Sequence, residues 1–389
     1  MAIRVKSASR DALIKYLDTV TDPVLRELIQ LRLQYSGIAT TRGTFLSALN
    51  GKSRIYPIIL PTQASGRWSY LQPALSGFPK KCINPECPKY SHEKSRECWS
   101  VADCLLPDKG TFWIEHDLDA VEHRIYALIL GWKERLLELS NGVDTHTPVA
   151  CKLFNLPLPS NIINPHSSKE DIEWRGLVQW QGKDDSRRTI GKNVTYGSQY
   201  VYVTLSAVKA RKPYRNFNGL KYNPNFVFSI PNIQSHLIVD SEGCSTVPDY
   251  IDIAIKFIED NVDIQKRKAE WMAKIRKDKI SRTLYGGPRK FYFSDEHTAK
   301  EGFNHIIQGT VASYINESCI LLQREFPDSY IIHNKHDSLK WAFMYSELDR
   351  ELEERQILER VKRITQRDLV YNDNTIKLTA TYKVISNLE

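Results

Sequence analysis

The chain has 389 residues, 41% of them hydrophobic, with 54 Lys and Arg against 46 Asp and Glu for a formal charge of +8. That length can bury a sizeable core and is long for one simple domain, while the modest basic excess favours polyanionic partners without naming one. Seven cysteines in so long a chain speak against a disulfide framework and for a reducing, cytoplasmic setting, and no apolar segment is long enough for a signal peptide or a membrane span.

Residues 10–36 carry helical periodicity through Leu13, Tyr16, Leu17, Val24, Leu25, Leu28, Ile29 and Leu31. Cys82, Cys87, His92 and Cys98 then give Cys-x4-Cys-x4-His-x5-Cys among the turn formers Asn84, Pro85 and Pro88. Such a loop could close around a tetrahedral zinc; the competing reading is a surface loop with reduced thiols. Phe112, Trp113 and Ile114 predict a buried strand leading to Asp117, and residues 144–155 predict a helix with Asp144 as its N-cap. In residues 187–200, Arg188, Lys192 and Tyr196 fall at i, i+4 and i+8, so two cations and a ring share one helix face. That face suits a triphosphate and a base, although a solvated basic face has the same spacing.

Residues 208–245 mix basic and aromatic side chains (Lys209, Arg211, Tyr214, Arg215, Phe217, Tyr222) and read as an irregular insertion, either a single-strand binding surface or a lid. From Lys266 to Lys290 ten basic residues face only Glu270 and Asp278, a candidate to track a nucleic-acid backbone. Tyr330, Ile331 and Ile332, then Leu339, Lys340 and Trp341, predict a second strand-like run with Asp337 inside it. Residues 347–367 predict an amphipathic helix and residues 376–385 a closing strand. A carboxylate in an apolar run is costly to bury without a compensating cation or hydrogen bonds. Asp117 and Asp337 therefore read either as a two-metal site on paired strands or as unrelated strand-end aspartates.

With these motifs in place the chain resembles the family A, DNA polymerase I-like, nucleotidyltransferases. Arg188, Lys192, Tyr196, Gly197 and Tyr200 match Arg-x3-Lys-x3-Phe/Tyr-Gly-x2-Tyr of the fingers helix. Asp117, Asp119, Ala120, Glu122 and Arg124 match the first palm motif, with Asp119 and Ala120 in place of Ser and Gln. His336 and Asp337 match His-Asp-Glu, with Ser338 in place of the glutamate. Weaker matches follow in the family's order: Gly66-Arg67; Asp144 and His146 (Asp-x-His); Thr283-Leu284-Tyr285-Gly286 with Arg289; and Asn304, Gln308, Gly309 and Thr310 (Asn-x3-Gln-Gly-Thr). Cys104 falls where the family carries a core aromatic and is expected to pack.

The resemblance implies an α+β, mixed α/β, right-hand polymerase fold with an antiparallel palm sheet and helical fingers. Residues 1–50 would be thumb-to-palm connecting helices, 51–140 the first part of the palm with a Cys-rich insertion over 80–104, 141–279 the fingers, and 280–389 the rest of the palm. Thumb and exonuclease domains would be missing or severely reduced, so proofreading would be absent and a separate subunit could supply the grip on DNA. The implied activity is template-directed addition of deoxyribonucleotides (dNTPs) to a primer, in the cytoplasm of a bacterial or phage-infected cell and without a membrane partner. Asp117, Asp337 and the Leu118 carbonyl would hold two magnesium ions (Mg²⁺). Arg188 and Lys192 would contact the triphosphate, with Lys192 protonating the leaving pyrophosphate. His146 would join the nucleotide site, Tyr196 would stack near the incoming base, and Glu122 would close the space beside the sugar C2′. Arg67, Tyr200, Asn304, Gln308, His336 and Arg289 would touch primer–template DNA. Two alternatives compete: a single-subunit RNA polymerase or primase-like enzyme, and an inactive nucleic-acid-binding module on a polymerase scaffold.

Overall fold

The computed structural model describes residues 20–61, 63–77, 104–154, 261–346 and 349–386, together with residues 13, 16, 17, 158, 170–174, 177–180, 188, 191, 192, 195, 196, 214, 215, 221 and 222. Two compact units are present, residues 1–63 with 68–106 and residues 64–67 with 107–389. The expectations at Tyr200, at Cys82, Cys87, His92 and Cys98, and in most of the 208–245 insertion lie outside the described residues.

In the first unit, helix α1 (Pro23–Thr40) begins where Asp22 Oδ1 accepts from Val24 N at 2.9 Å. Pro23, which has no N–H to leave unsatisfied, occupies the first helical position. The helix runs on through a wider turn at Thr41–Leu46 and a last turn at Ser47–Leu49. Strands β1 (Ile58–Leu60) and β2 (Ser69–Leu71) pair antiparallel. Phe45, Tyr70 and Leu75 form a small core that Leu105 packs against. Cys104 does not pack as its sequence position suggests: it is exposed, and its neighbour Leu105 makes the apolar contact instead.

The second unit is organised by a four-stranded antiparallel sheet of β3 (Thr111–Leu118), β10 (Tyr330–Lys335), β11 (Ser338–Met344) and β14 (Ala380–Ser386), in the order β10-β11-β3-β14. Phe112 and Ile114 of β3 share one face with Leu339, Trp341 and Phe343 of β11. Each of these buried side chains stabilises by about 1.5–3 kcal/mol, so together they hold the register. A slip of one residue would turn Asp117 into the core. On the opposite face lie Trp113, Glu115 and Asp117, with Lys340 paired to Glu115 at 3.2 Å.

After β3 come α2 (Val121–Ile129), α3 (Lys133–Ser140) and α4 (Thr147–Phe154). Two short hairpins follow, β4 (Glu170–Trp174) with β5 (Leu177–Trp180) and β6 (Tyr214–Arg215) with β7 (Lys221–Tyr222). Then come α5 (Val262–Asp278), the hairpin β8 (Ile280–Arg282) with β9 (Pro288–Lys290), and α6 (Glu296–Glu325). Asp295 starts α6 by accepting from Thr298 N at 2.7 Å. At 30 residues α6 is about 45 Å long, and its buried residues join the core formed by α2, α3 and α5. The chain ends with α7 (Arg350–Thr365), the hairpin β12 (Asp368–Tyr371) with β13 (Asn374–Lys377), and β14. No helix among the described residues is long and apolar enough to cross a membrane.

Three elements depart from expectation. The single closing strand is two strands, β13 and β14, because the main chain turns at residues 378–379. There Leu378 N donates to the Arg367 carbonyl in the register of β12, and Asp119 N donates to the Thr379 carbonyl in the register of β3, so the chain passes from one ladder to the other. The helix expected from residue 144 begins at Thr147, with Asp144 capping it from outside. The basic stretch over α5, expected as a candidate to track a nucleic-acid backbone, is partly engaged within the protein. Lys268 is buried with its ammonium 5.8 Å from the Phe303 ring centre, and Arg267 donates to the carbonyls of Leu130 and Gly131.

Candidate active site

Asp117 and Asp337 come together through the palm sheet. Asp117 lies directly opposite Ser338 and opposite Thr381 on its other side. Asp337 is not inside a strand, as its apolar flanks suggest. It occupies the tight turn between β10 and β11, where Lys335 pairs with Ser338 and His336 takes φ 57°. Leu118 N donates to the Asp337 carbonyl at 3.0 Å, which ties the turn to the strand bearing Asp117. Ser338, standing where the resemblance calls for a glutamate, is buried and closes the turn by donating to the Lys335 carbonyl at 3.2 Å.

Past Leu118 the chain reverses through Ala120 in the left-handed region (φ 47°, ψ 34°), which places Glu122 in the first turn of α2. Arg124 fixes this reversal. Its buried guanidinium donates to the carbonyls of Asp119 (2.9 Å) and Lys377 (3.0 Å) and to Thr379 Oγ1 (3.0 Å). Arg124 is therefore structural, and the first motif is braced from behind. On the open side Glu122 Oε1 accepts from Arg67 Nη2 at 2.5 Å.

A second wall comes from α4 and the helical residues 188, 191, 192, 195 and 196. Asp144 Oδ1 and Oδ2 accept from His146 N and Thr147 N at 3.2 Å each, capping α4. The same carboxylate receives Arg188 in a fork, Nε to Oδ2 at 2.7 Å and Nη2 to Oδ1 at 2.9 Å. A Cβ added to Gly191 would meet the His146 carbonyl oxygen at 2.5 Å and Ala150 N at 2.8 Å. Only glycine lets this helix approach so near, and the approach puts Tyr196 against His146, with ring centres 5.5 Å apart and tilted by 45°. Lys192 Nζ lies 5.6 Å from the Tyr196 ring centre.

Between the walls is a cavity of ≈ 590 Å³. Asp117, Asp119, Glu122 and Asp337 line it, and Arg67, Arg188 and Lys192 bring positive charge to it. Burial of the His146 ring pushes its pKa down to about 3, with Asp144 opposing and Arg188 and Lys192 reinforcing, so it is neutral at physiological pH. Burial raises the Tyr196 hydroxyl well above its ordinary value, helped by the charges of Glu122 and Asp337. His336 is lowered by burial first and by Arg67 second. Among the described residues no group of three or more His, Cys, Asp or Glu could hold a metal ion. The pair Asp117 and Asp337 is nevertheless an all-oxygen, hard donor set, which suits a magnesium ion that keeps few protein carboxylates.

Asn304 and Gln308 lie on α6 and Arg289 on β9, and none of the three lines the cavity. Arg289 is engaged by Glu301 at 2.6 Å and sits 4.8 Å from the Phe291 ring centre. The motif around Asn304 is locked to the Thr283 motif. Thr310 Oγ1 accepts from Leu284 N at 3.0 Å, and a Cβ on Gly309 would meet Thr283 Cγ2 at 2.6 Å. Sequence reasoning missed the Asp144–Arg188 fork, the role of Gly191 and the anchoring of Arg124. Of these only Gly191, one residue before Lys192, left a visible trace.

No protein-family model matches the chain, and no curated protein matches it. Among solved structures, it is similar to the POL domain of Pol1 from M. smegmatis, determined in complex with DNA primer-template and dNTP. The TM-score is 0.63 at 17% identity, over 97% of this chain and 56% of that one. The chain thus spans about half the length of that structure. At this identity the likeness carries the fold, and with the antiparallel sheet that holds Asp117 beside the Asp337 turn it gives the chain the mixed α/β fold of a DNA polymerase domain.

Proposed function

We propose that the protein is a template-directed DNA polymerase that adds deoxyribonucleotides to a primer 3′-hydroxyl. The observation that carries the reading is one cavity lined by Asp117 and Asp337 of the palm sheet and its turn together with Arg188 and Lys192. Two carboxylates and two cations in one cavity suit a substrate that is anionic in its triphosphate and reacts at its α-phosphorus. The complex of the similar POL domain with primer-template and dNTP supports the same choice of ligands.

Asp117, Asp337 and the Leu118 carbonyl would hold two magnesium ions, which when bound supply Lewis-acid activation of the hydroxyl and neutralise the departing pyrophosphate. Arg188, with Nε and Nη2 held by Asp144, keeps its remaining guanidinium edge for triphosphate oxygens, so the Asp144 fork sets its direction in advance. Lys192 serves as phosphate contact and as proton donor to the leaving pyrophosphate. His146 stays neutral in this role, a hydrogen-bonding wall rather than a charge, and Tyr196 offers its ring to the base. Glu122, held by Arg67, narrows the space beside C2′ and so favours deoxyribose.

The test is incorporation on primed templates that differ in one unpaired base, with each deoxyribonucleotide and ribonucleotide supplied singly. Addition of the complementary deoxyribonucleotide alone supports the proposal. Untemplated addition, or a preference for ribonucleotides, would refute it.

A further inference from the structure

Tyr292 and Phe293 follow β9, and their side chains are 92% and 73% exposed. Large rings are seldom left so open in consecutive positions unless something covers them. Their neighbour Phe291 behaves ordinarily: it packs against the core of the second unit with Arg289 over its face. Among the described residues neither Tyr292 nor Phe293 has an aromatic or cationic partner.

Cations stand on the segments tied to the two rings. Phe291 N donates to the Lys279 carbonyl at 2.9 Å, Lys290 pairs with Ile280, and Arg276 Nε donates to the Ser294 carbonyl at 3.3 Å. These bonds hold the C-terminal end of α5, with exposed Arg276, Lys277 and Lys279, against the segment carrying exposed Lys290, Tyr292 and Phe293. Nearby acids offset little of this charge. Asp295 is occupied capping α6, Glu296 pairs with Lys300 at 3.4 Å, and Glu301 holds Arg289, which leaves Asp278 as the near counter-charge.

We infer that Tyr292 and Phe293, with Arg276, Lys277, Lys279 and Lys290 around them, form a stacking platform for single-stranded nucleic acid. Exposed rings offer their faces to unpaired bases whatever the base, and the cations follow the phosphates. A duplex offers base faces only at its two ends, so the platform favours single strands. Identifying the strand as unpaired template rests on the polymerase reading; binding of a single strand does not.

The experiment uses the whole chain and a fluorescently labelled oligodeoxythymidylate, followed by anisotropy without nucleotide or magnesium, with a blunt duplex as comparison. The double variant Tyr292→Ala/Phe293→Ala should bind the oligonucleotide more weakly, by roughly 5- to 150-fold for each base stack lost, while duplex affinity holds. Tyr292→Trp/Phe293→Trp should restore binding. Lys277→Ala with Lys290→Ala should reduce the salt dependence, by a slope of about 0.7 for each phosphate contact removed. Unchanged oligonucleotide affinity in the alanine pair would overturn the inference, as would an equal loss on the duplex. So would a lowered unfolding midpoint, which would mean that the rings are packed. Intact oligonucleotide binding without primer extension would count against the polymerase reading alone.

Discussion

Removing the Asp144 carboxylate tests how the cavity wall is built. The side chain is 3% exposed and carries two loads: it caps α4 at His146 N and Thr147 N, and it holds Arg188, itself 12% exposed, in a two-bond fork. Deleting one partner of such a buried pair leaves an uncompensated guanidinium and costs about 3–5 kcal/mol. Asp144→Asn keeps an acceptor for the cap and should be milder than Asp144→Ala by about 1 kcal/mol, the worth of the cap. Because the two groups act together, Asp144→Ala/Arg188→Ala should cost less than the sum of the single variants, by about 1–3 kcal/mol. Burial alone would push the Asp144 carboxyl up, but the hydrogen bonds and charge of Arg188, with Thr147, hold it below 3.8. A depressed carboxylate contributes stability above its unfolded pKa and loses it as pH falls through the folded one. The wild-type protein should therefore lose this contribution below about pH 4, where Asp144→Asn has none to lose. Urea unfolding of the four proteins supplies the cycle. A cost under about 1 kcal/mol for Asp144→Ala, or strict additivity with Arg188→Ala, would refute the fork as described.

Burial keeps His116, His123 and His146 neutral in the fold, with pKa pushed to about 4 for His116, well down for His123 and to about 3 for His146. The unfolded chain takes up these protons below about pH 6.5, so stability should fall by about 4 kcal/mol between pH 7 and 5.5; an unfolding midpoint that does not move would contradict this. Gly309→Ala should cost about 1–3 kcal/mol, because its Cβ would meet Thr283 Cγ2 at 2.6 Å; unchanged denaturation would show that the two motifs are not in contact. Glu122→Ala should raise ribonucleotide incorporation relative to deoxyribonucleotide by roughly ten-fold in a competition assay, and unchanged discrimination would remove Glu122 from sugar selection.

The strand bearing Asp117 was legible because its signal is local: Phe112, Trp113 and Ile114 must be buried, and Asp117 lies near the end of their strand. Asp337 was found for the same reason, but its place in a turn was not, since apolar residues on both sides mask a two-residue reversal. The helix face of Arg188, Lys192 and Tyr196 followed from spacing alone. What faces them did not, because Asp144 is 44 positions away from Arg188 and serves equally well as a simple cap. The break before β14 was hidden for a related reason. Nothing in the sequence around residues 378–379 announces that the chain leaves the register of β12 and enters that of β3 there. Buried polar pairings between distant segments leave no periodic trace, whereas apolar faces do.

The central claim is that Asp117 and Asp337 act together on an incoming nucleotide. It is tested most directly by single-nucleotide incorporation in Mg²⁺ with wild type, Asp117→Ala and Asp337→Ala, alongside primer–template affinity measured on the same preparations. The account predicts that each variant still binds primer–template while incorporation is abolished. Near wild-type incorporation by either variant would contradict it.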